Sequence, residues 1–381
     1  MRKNAAHCMK GSLMISSENL ERKDLPELSD SRDVKRKVVA LILKFFPVFS
    51  VLAALLVSSI LIAMAGINPW EAFAELIKGS LGNKYGLGET LNKFVPLQLC
   101  GLAFLFGLKS GFFNAGTEGQ FYVGALAGAM AGIYFTGLPP ALHVLAVMLV
   151  SFTAGAIWAS IAGVLKVTLG VSEIINTIML IYIANLLVDH LIDGPLAEPG
   201  GQISQTAPIA DSARLPILIS GTRIHTGFPI ALLITLVVYI IISRTSLGYQ
   251  LRMAGQNPEV ARFSGMNNKK LIMISVLISG GLAGIAGSIE TMGSLIRLTP
   301  GFSGGYGADA IGVVILGNAS PLGLTIASLL FSVLRVGAGG MQRNLGVPYP
   351  LVNVIQGLII LFVVGGSYIS KKLELSFGRR Y

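Results

Sequence analysis

Residues Ala141–Leu165 read ALHVLAVMLVSFTAGAIWASIAGVL, and no Asp, Glu, Lys or Arg interrupts them. Wound as an α-helix at about 1.5 Å per residue, the run is long enough for the ~30 Å hydrocarbon core of a bilayer. Pro139 and Pro140 stand at its start, where a helix tolerates proline. The pattern recurs on both sides. Val39–Ile67, Val171–Val188, Gly227–Ile242, Leu271–Met292, Pro321–Val336 and Val347–Gly365 are further apolar runs. Phe94–Gly107 and Ala308–Leu316 are apolar but short, and Gly111–Tyr134 opens on polar residues. The fold class is therefore all-α: a polytopic membrane protein with about ten transmembrane helices, some short or broken. Treating the short pieces as re-entrant gives eight.

Composition agrees. Of 381 residues, 53% are hydrophobic and 13% charged, about half the charge of a soluble domain. The mean hydropathy is +0.71. The 46 glycines suit helices packed backbone to backbone in lipid. Gly124, Gly128 and Gly132 strip one helix face of side chains, and Gly280, Gly284 and Gly287 do the same on another.

The net charge of +10 is concentrated at the two ends and in residues 244–270. That distribution predicts contact with an anionic cytoplasmic leaflet and no nucleic-acid interface, since no basic face is interleaved with aromatics. By the positive-inside rule both termini and the 244–270 loop are cytoplasmic, in a multi-pass protein of the cell membrane. Residues 1–38, with nine Lys/Arg, read as a polar basic tail, 39–370 as the transmembrane domain, and 371–381 as a second basic tail. The first apolar stretch is too long for a signal peptide and reads as a retained span. Residues 189–226, with Pro195, Pro199 and Pro208, read as a long exposed loop. Cys8 and Cys100, and the scattered His7, His143, His190 and His225, offer no metal-ligand spacing.

Ionisable and amide side chains inside a bilayer are costly and mark functional candidates. The densest group is Gly111–Gln120, GFFNAGTEGQ, with Asn114, Glu118 and Gln120. It reads as a broken helix on a solute path or gate, or else as a surface turn in water. Glu173, Asn176 and Thr177 share one helix face. Ser172 with Glu173 fits a helix cap, and the same face fits a partner subunit. Glu290 sits late in its span, and Asp309 follows a Gly-rich loop, Arg297–Gly307, expected outside.

The basic loop has its own grammar. Asn257 fits an N-cap, Pro258 the first helical position, Glu259 the first turn, and Gly265 a stop. Pro258–Ser264 is thus a short cytoplasmic helix presenting Val260, Ala261 and Phe263. It is either a docking knob or a helix held on headgroups by Arg252 and Arg262. Nowhere does Gly-Lys-Ser/Thr occur, so the chain carries no Walker A loop, and no catalytic set is present. Any ATP that drives transport must be hydrolysed on another chain.

Five ordered stretches resemble those of ABC importer permeases of the branched-chain amino acid, ribose and nucleoside branch. Gly111–Gln120 is similar to its G-x-F-N-x-G-x-E-G-Q motif. Gly170–Leu180, Ala254–Met266, Ile278–Glu290 and Pro300–Leu316 resemble its other segments. The nearest look is to nucleoside-type permeases, although Ile181, Ala308, Ala310 and Asn318 depart from their pattern.

The resemblance implies a non-catalytic subunit of a heterodimer of two permeases. A cytoplasmic ABC ATPase that binds the ATP and an external solute-binding lipoprotein would serve it, and the chain itself would bind no cofactor. Gly255, Asn257, Pro258, Glu259, Ala261, Arg262, Phe263 and Gly265 would then couple to the ATPase. Asn114, Glu118, Gln120, Glu173, Asn176 and Asp309 would lie near the substrate pathway or its gate. Nucleosides are the expected solute, with a simple sugar such as ribose, or riboflavin, as alternatives. A secondary transporter driven by an ion gradient is the competing class.

Overall fold

The computed structural model describes residues 49–366, except 51, 349, 352, 363 and 364. Both basic tails and the first residues of the first apolar run lie outside that range. Every described element with repeating hydrogen bonds is helical, apart from two isolated β-bridges.

Helix α1 (Leu52–Met64) meets α2 (Pro69–Leu81) at a bend of 113°. The bend is local chemistry. Gly66 takes φ +78°, and Asn68 Oδ1 accepts the Trp70 N–H to start α2 with Pro69 in its first turn. Trp70 remains 83% exposed.

Helix α3 (Lys84–Lys109) corrects the short Phe94–Gly107 expectation. Its first ten residues include Glu89, Asn92 and Lys93, so hydropathy alone reads them as a linker. The structure winds them into a central helix, several of whose polar groups bond to neighbouring segments. Thr90 donates to Ser80 O at 3.0 Å, and Gln98 donates to Thr235 and Thr325 at 3.1 Å each. A helix surrounded by protein has no need of an apolar surface all round.

Helices α4 (Thr117–Tyr134), α5 (Pro140–Leu169) and α10 (Asn268–Glu290) pack as the glycine stripes predict. A Cβ on Gly124 would overlap the Gly284 backbone, and one on Gly155 would overlap Gly280 O. Helix α6 (Glu173–Asp193) lies outside this trio with most of its surface bare. Residues 194–226 then fold back over the helix ends, which corrects the exposed loop. Ile209, Ala213, Leu215 and His225 are buried, and Ala210 N donates to Gly132 O at 2.9 Å. Its prolines suggest irregular backbone, but irregular backbone is stable here because it hydrogen-bonds to neighbouring segments.

Helices α7 (Gly227–Arg244), α8 (Ser246–Gln256) and α9 (Pro258–Phe263) precede α10. A π-turn, Thr291–Leu295, ends α10 at the expected place. Helices α11 (Tyr306–Leu316), α12 (Pro321–Leu345) and α13 (Asn353–Phe362) follow. Six helices are long and apolar enough to cross a bilayer, or seven if α1 and α2 form one span. The expected ten is reached only by adding α4, α11 and α13, which are too polar or too short by themselves. The chain is a polytopic helical membrane protein.

Candidate functional site

The stretch after α3 settles one alternative left by the sequence. Ser110 and Gly111 turn the chain, Gly111 at φ +80°, and α4 begins at Thr117. Asn114 is fully buried. Its Nδ2 donates to Gln120 Oε1 at 2.9 Å and to Ser279 Oγ at 2.8 Å, while its Oδ1 accepts from Gln120 Nε2 at 2.9 Å. Ser279 in turn donates to Ala103 O at 2.6 Å. Ser279 lies eleven residues into α10, about 16 Å along its axis. Asn114, Glu118 and Gln120 are therefore buried in protein and do not sit in water.

Glu118 is the next link. One carboxylate oxygen accepts from Ser303 Oγ, and the other accepts the Gly307 N–H at 2.5 Å. The Gly-rich loop is thus held against α4, where Ser303 is fully buried. Phe302 packs on Tyr122 with ring centres 4.5 Å apart. Gly307 must be glycine for this approach, because a Cβ would overlap the Glu118 backbone.

Sequence reading left out the cations that complete the cluster. Lys93 pairs with Glu290 at 3.4 Å, and Tyr306 OH donates to Glu290 at 3.4 Å. Arg335 lies 3.5 Å from Asp309, stands 4.4 Å over the Tyr306 ring, and donates to Gly304 O. A lone Lys or Arg inside an apolar segment was the available signal. Lys93 lies just before the apolar run Phe94–Gly107 and Arg335 at the edge of Pro321–Val336, so neither stands out by hydropathy.

Glu173 and Asn176 occupy a different wall. Ser172 stands at the N-cap with Glu173 in the first turn, as expected, but its side chain makes no cap bond. The Gly170 turn at φ +69° brings Lys166 over the helix start instead, 2.6 Å from Glu173. Thr177 faces inward, 3.0 Å from where a Gly116 Cβ would stand, so the two polar groups of the sequence meet there. Asn176 Nδ2 and Asn185 Oδ1 are buried without a hydrogen-bond partner among the described residues.

The predicted cytoplasmic helix is α9. Asn257 Oδ1 accepts the Glu259 and Val260 N–H groups at 3.1 Å, Pro258 opens the helix, and Gly265 leaves it at φ +79°. Ala261 is fully buried, Arg262 is exposed, and Phe263 is 91% exposed. Gly255, at the end of α8, lies so close to the Lys109–Gly111 turn that a Cβ would overlap Lys109 O. The end of α8 thus packs directly against the turn that leads into Asn114.

The model of the branched-chain amino acid transport system permease component matches residues 86–364. The glucose ABC transporter permease protein TsgB13 of Haloferax volcanii is 34% identical over 360 residues, 91% of this chain and 94% of its own. The guanosine ABC transporter permease protein NupP of Bacillus subtilis is 33% identical over 321 residues, 83% and 92% of the two chains. The putative glucose permease protein TsgC13 of Haloferax volcanii is 26% identical over 284 residues, 72% and 83%. No solved structure matches significantly. This multi-pass chain, with its broken helix, its Gly-rich strap and its capped cytoplasmic helix, belongs to the branched-chain amino acid transport system permease family, as a non-catalytic membrane subunit of an ABC importer.

Proposed function

We propose that the chain carries nucleosides inward, delivered by an external binding protein and driven by an ATPase on a separate chain that binds the ATP. The observation that carries the ATP-driven part is α9. A short helix with a cap at its start, a glycine exit and a bare Phe263 is built to be gripped from outside the chain. Gly255 then links it rigidly to the break that holds Asn114, Gln120 and, one turn on, Glu118.

The path runs along α6, where Glu173 and Asn176 face a second permease. Most of α6 is bare in this chain, which leaves room for a second permease against it. The presence of two similar permeases in Haloferax volcanii supports a heterodimer. Both termini lie in the cytoplasm, with residues 194–226 outside. A simple sugar is the second reading, favoured by the relative named for glucose.

The test is uptake by proteoliposomes containing the chain, its second permease and its ATPase, with binding protein outside. Tritiated guanosine should accumulate only with ATP inside, and unlabelled glucose should compete weakly. Preferential accumulation of glucose would select the second reading. Accumulation by the chain alone under an ion gradient would remove the ATP-driven one.

A further inference from the structure

A crevice of about 390 Å³ opens between α2, α3 and α12, edged by the Gly-rich loop. That volume falls within the usual range for small-molecule sites. Tyr85, Phe302 and Tyr306 form apolar walls, and Glu89, Lys93 and Arg335 bring charge to them. Its position follows from the helices. Glu89 and Lys93 lie in the first ten residues of α3, toward the opposite end from the Lys109 turn that α8 touches, so the crevice is on the side away from α9.

The charges decide what kind of ligand fits. Lys93 is paired with Glu290 and, at 3.8 Å, with Glu89, and Arg335 is paired with Asp309. The deep cations thus already face carboxylates, and Arg343 at the rim is exposed and screened by water, so little net field is left inside the crevice to select an anion. What the walls do offer is hydrogen bonding of both signs beside aromatic faces. Glu89 lines the crevice, and the cations beside its carboxylate, Lys93 at 3.8 Å and Arg223 at 4.0 Å, stand beyond hydrogen-bond distance. A carboxylate so placed can accept a hydrogen bond from a ligand hydroxyl. Each hydroxyl of a sugar ring can donate to a carboxylate and accept from a cation. Its C–H face can lie on an aromatic ring.

We propose that this crevice is a binding site for a neutral, polyhydroxylated ring, with Glu89 as the hydroxyl acceptor and Tyr85 as the rim of the aromatic wall. It rests on the reading that the solute bears a sugar, and assigns that solute a staging site within one subunit before it reaches the α6 path.

Gly339 lines the crevice, and a Cβ there meets nothing within 4 Å, so a cysteine fits. The test uses the assembled transporter in whole cells, with Cys8→Ser and Gly339→Cys. Cys100 is fully buried and stays silent to a membrane-impermeant maleimide. Guanosine, ribose and glucose are titrated against labelling, while uptake of each tritiated compound is measured in the same cells. Asp211→Cys, on the exposed 3₁₀ turn, is the control position.

At least one of the three should protect Gly339→Cys and leave Asp211→Cys unprotected. Glu89→Gln and Tyr85→Ala should each raise the half-protecting concentration tenfold or more. No external labelling of Gly339→Cys, no protection, or protection unchanged by both variants overturns the site. Uptake without protection removes the crevice and leaves the transport reading standing. Protection without uptake of any of the three removes the transport reading and keeps the site. Loss of both removes both.

Discussion

At the residue scale the decisive pair is Asn114 with Gln120. Their amides exchange two hydrogen bonds, and the remaining Asn114 donor holds Ser279 of α10. Removing either amide leaves its partner buried and unsatisfied, at a cost of about 1–3 kcal/mol. Removing both leaves less to satisfy. Asn114→Ala and Gln120→Ala are therefore each expected to lower the unfolding midpoint of the detergent-solubilised protein. The double variant should lose less than the sum, with a coupling on the order of 1 kcal/mol. Strict additivity would show that the two side chains act separately. The sequence made this cluster visible because four polar side chains beside three glycines are conspicuous in an apolar chain. It could not say whether they faced water or each other. That depends on Ser279 and Ser303, which lie more than 150 positions away and carry no special signal of their own.

At the scale of elements, α9 was legible almost to the residue, since caps, a first-turn proline and a glycine stop are local chemistry. Helix α3 was legible only over its apolar half. Its polar half is stabilised by partners on other helices, and no local pattern records them. The same distinction separates two variants of the coupling region. Phe263 touches little of its own chain, so Phe263→Ala should leave the unfolding midpoint unchanged while reducing co-purification of the ATPase. Gly255 touches the Lys109–Gly111 turn, and a β-branched side chain there must push α8 away. Gly255→Val should keep ATPase binding but uncouple ATP hydrolysis from uptake. If both variants lose ATPase binding equally, Gly255 belongs to the docking surface and transmits nothing.

At the scale of the whole molecule, the membrane-spanning character and the glycine-packed trio were readable because they follow from composition and helical spacing. The span count was not. Lipid exposure imposes apolarity, whereas a helix enclosed by protein escapes that rule, and α3, α4 and α11 are enclosed. Orientation is the remaining property of the whole chain, and charge alone argues for it. The structure makes that argument checkable. One long span, α7, separates the 194–226 segment from α8 and α9, so the two must lie on opposite sides of the bilayer. In a Cys8→Ser background, Asp211→Cys should react with impermeant maleimide on intact cells, and Phe263→Cys only in inverted vesicles. Phe263 also lies on the proposed ATPase surface, so bound ATPase should slow its labelling from the cytoplasmic side. The reverse pattern would put the basic segments outside. It would remove the docking surface together with the orientation, because ATP is available only in the cytoplasm.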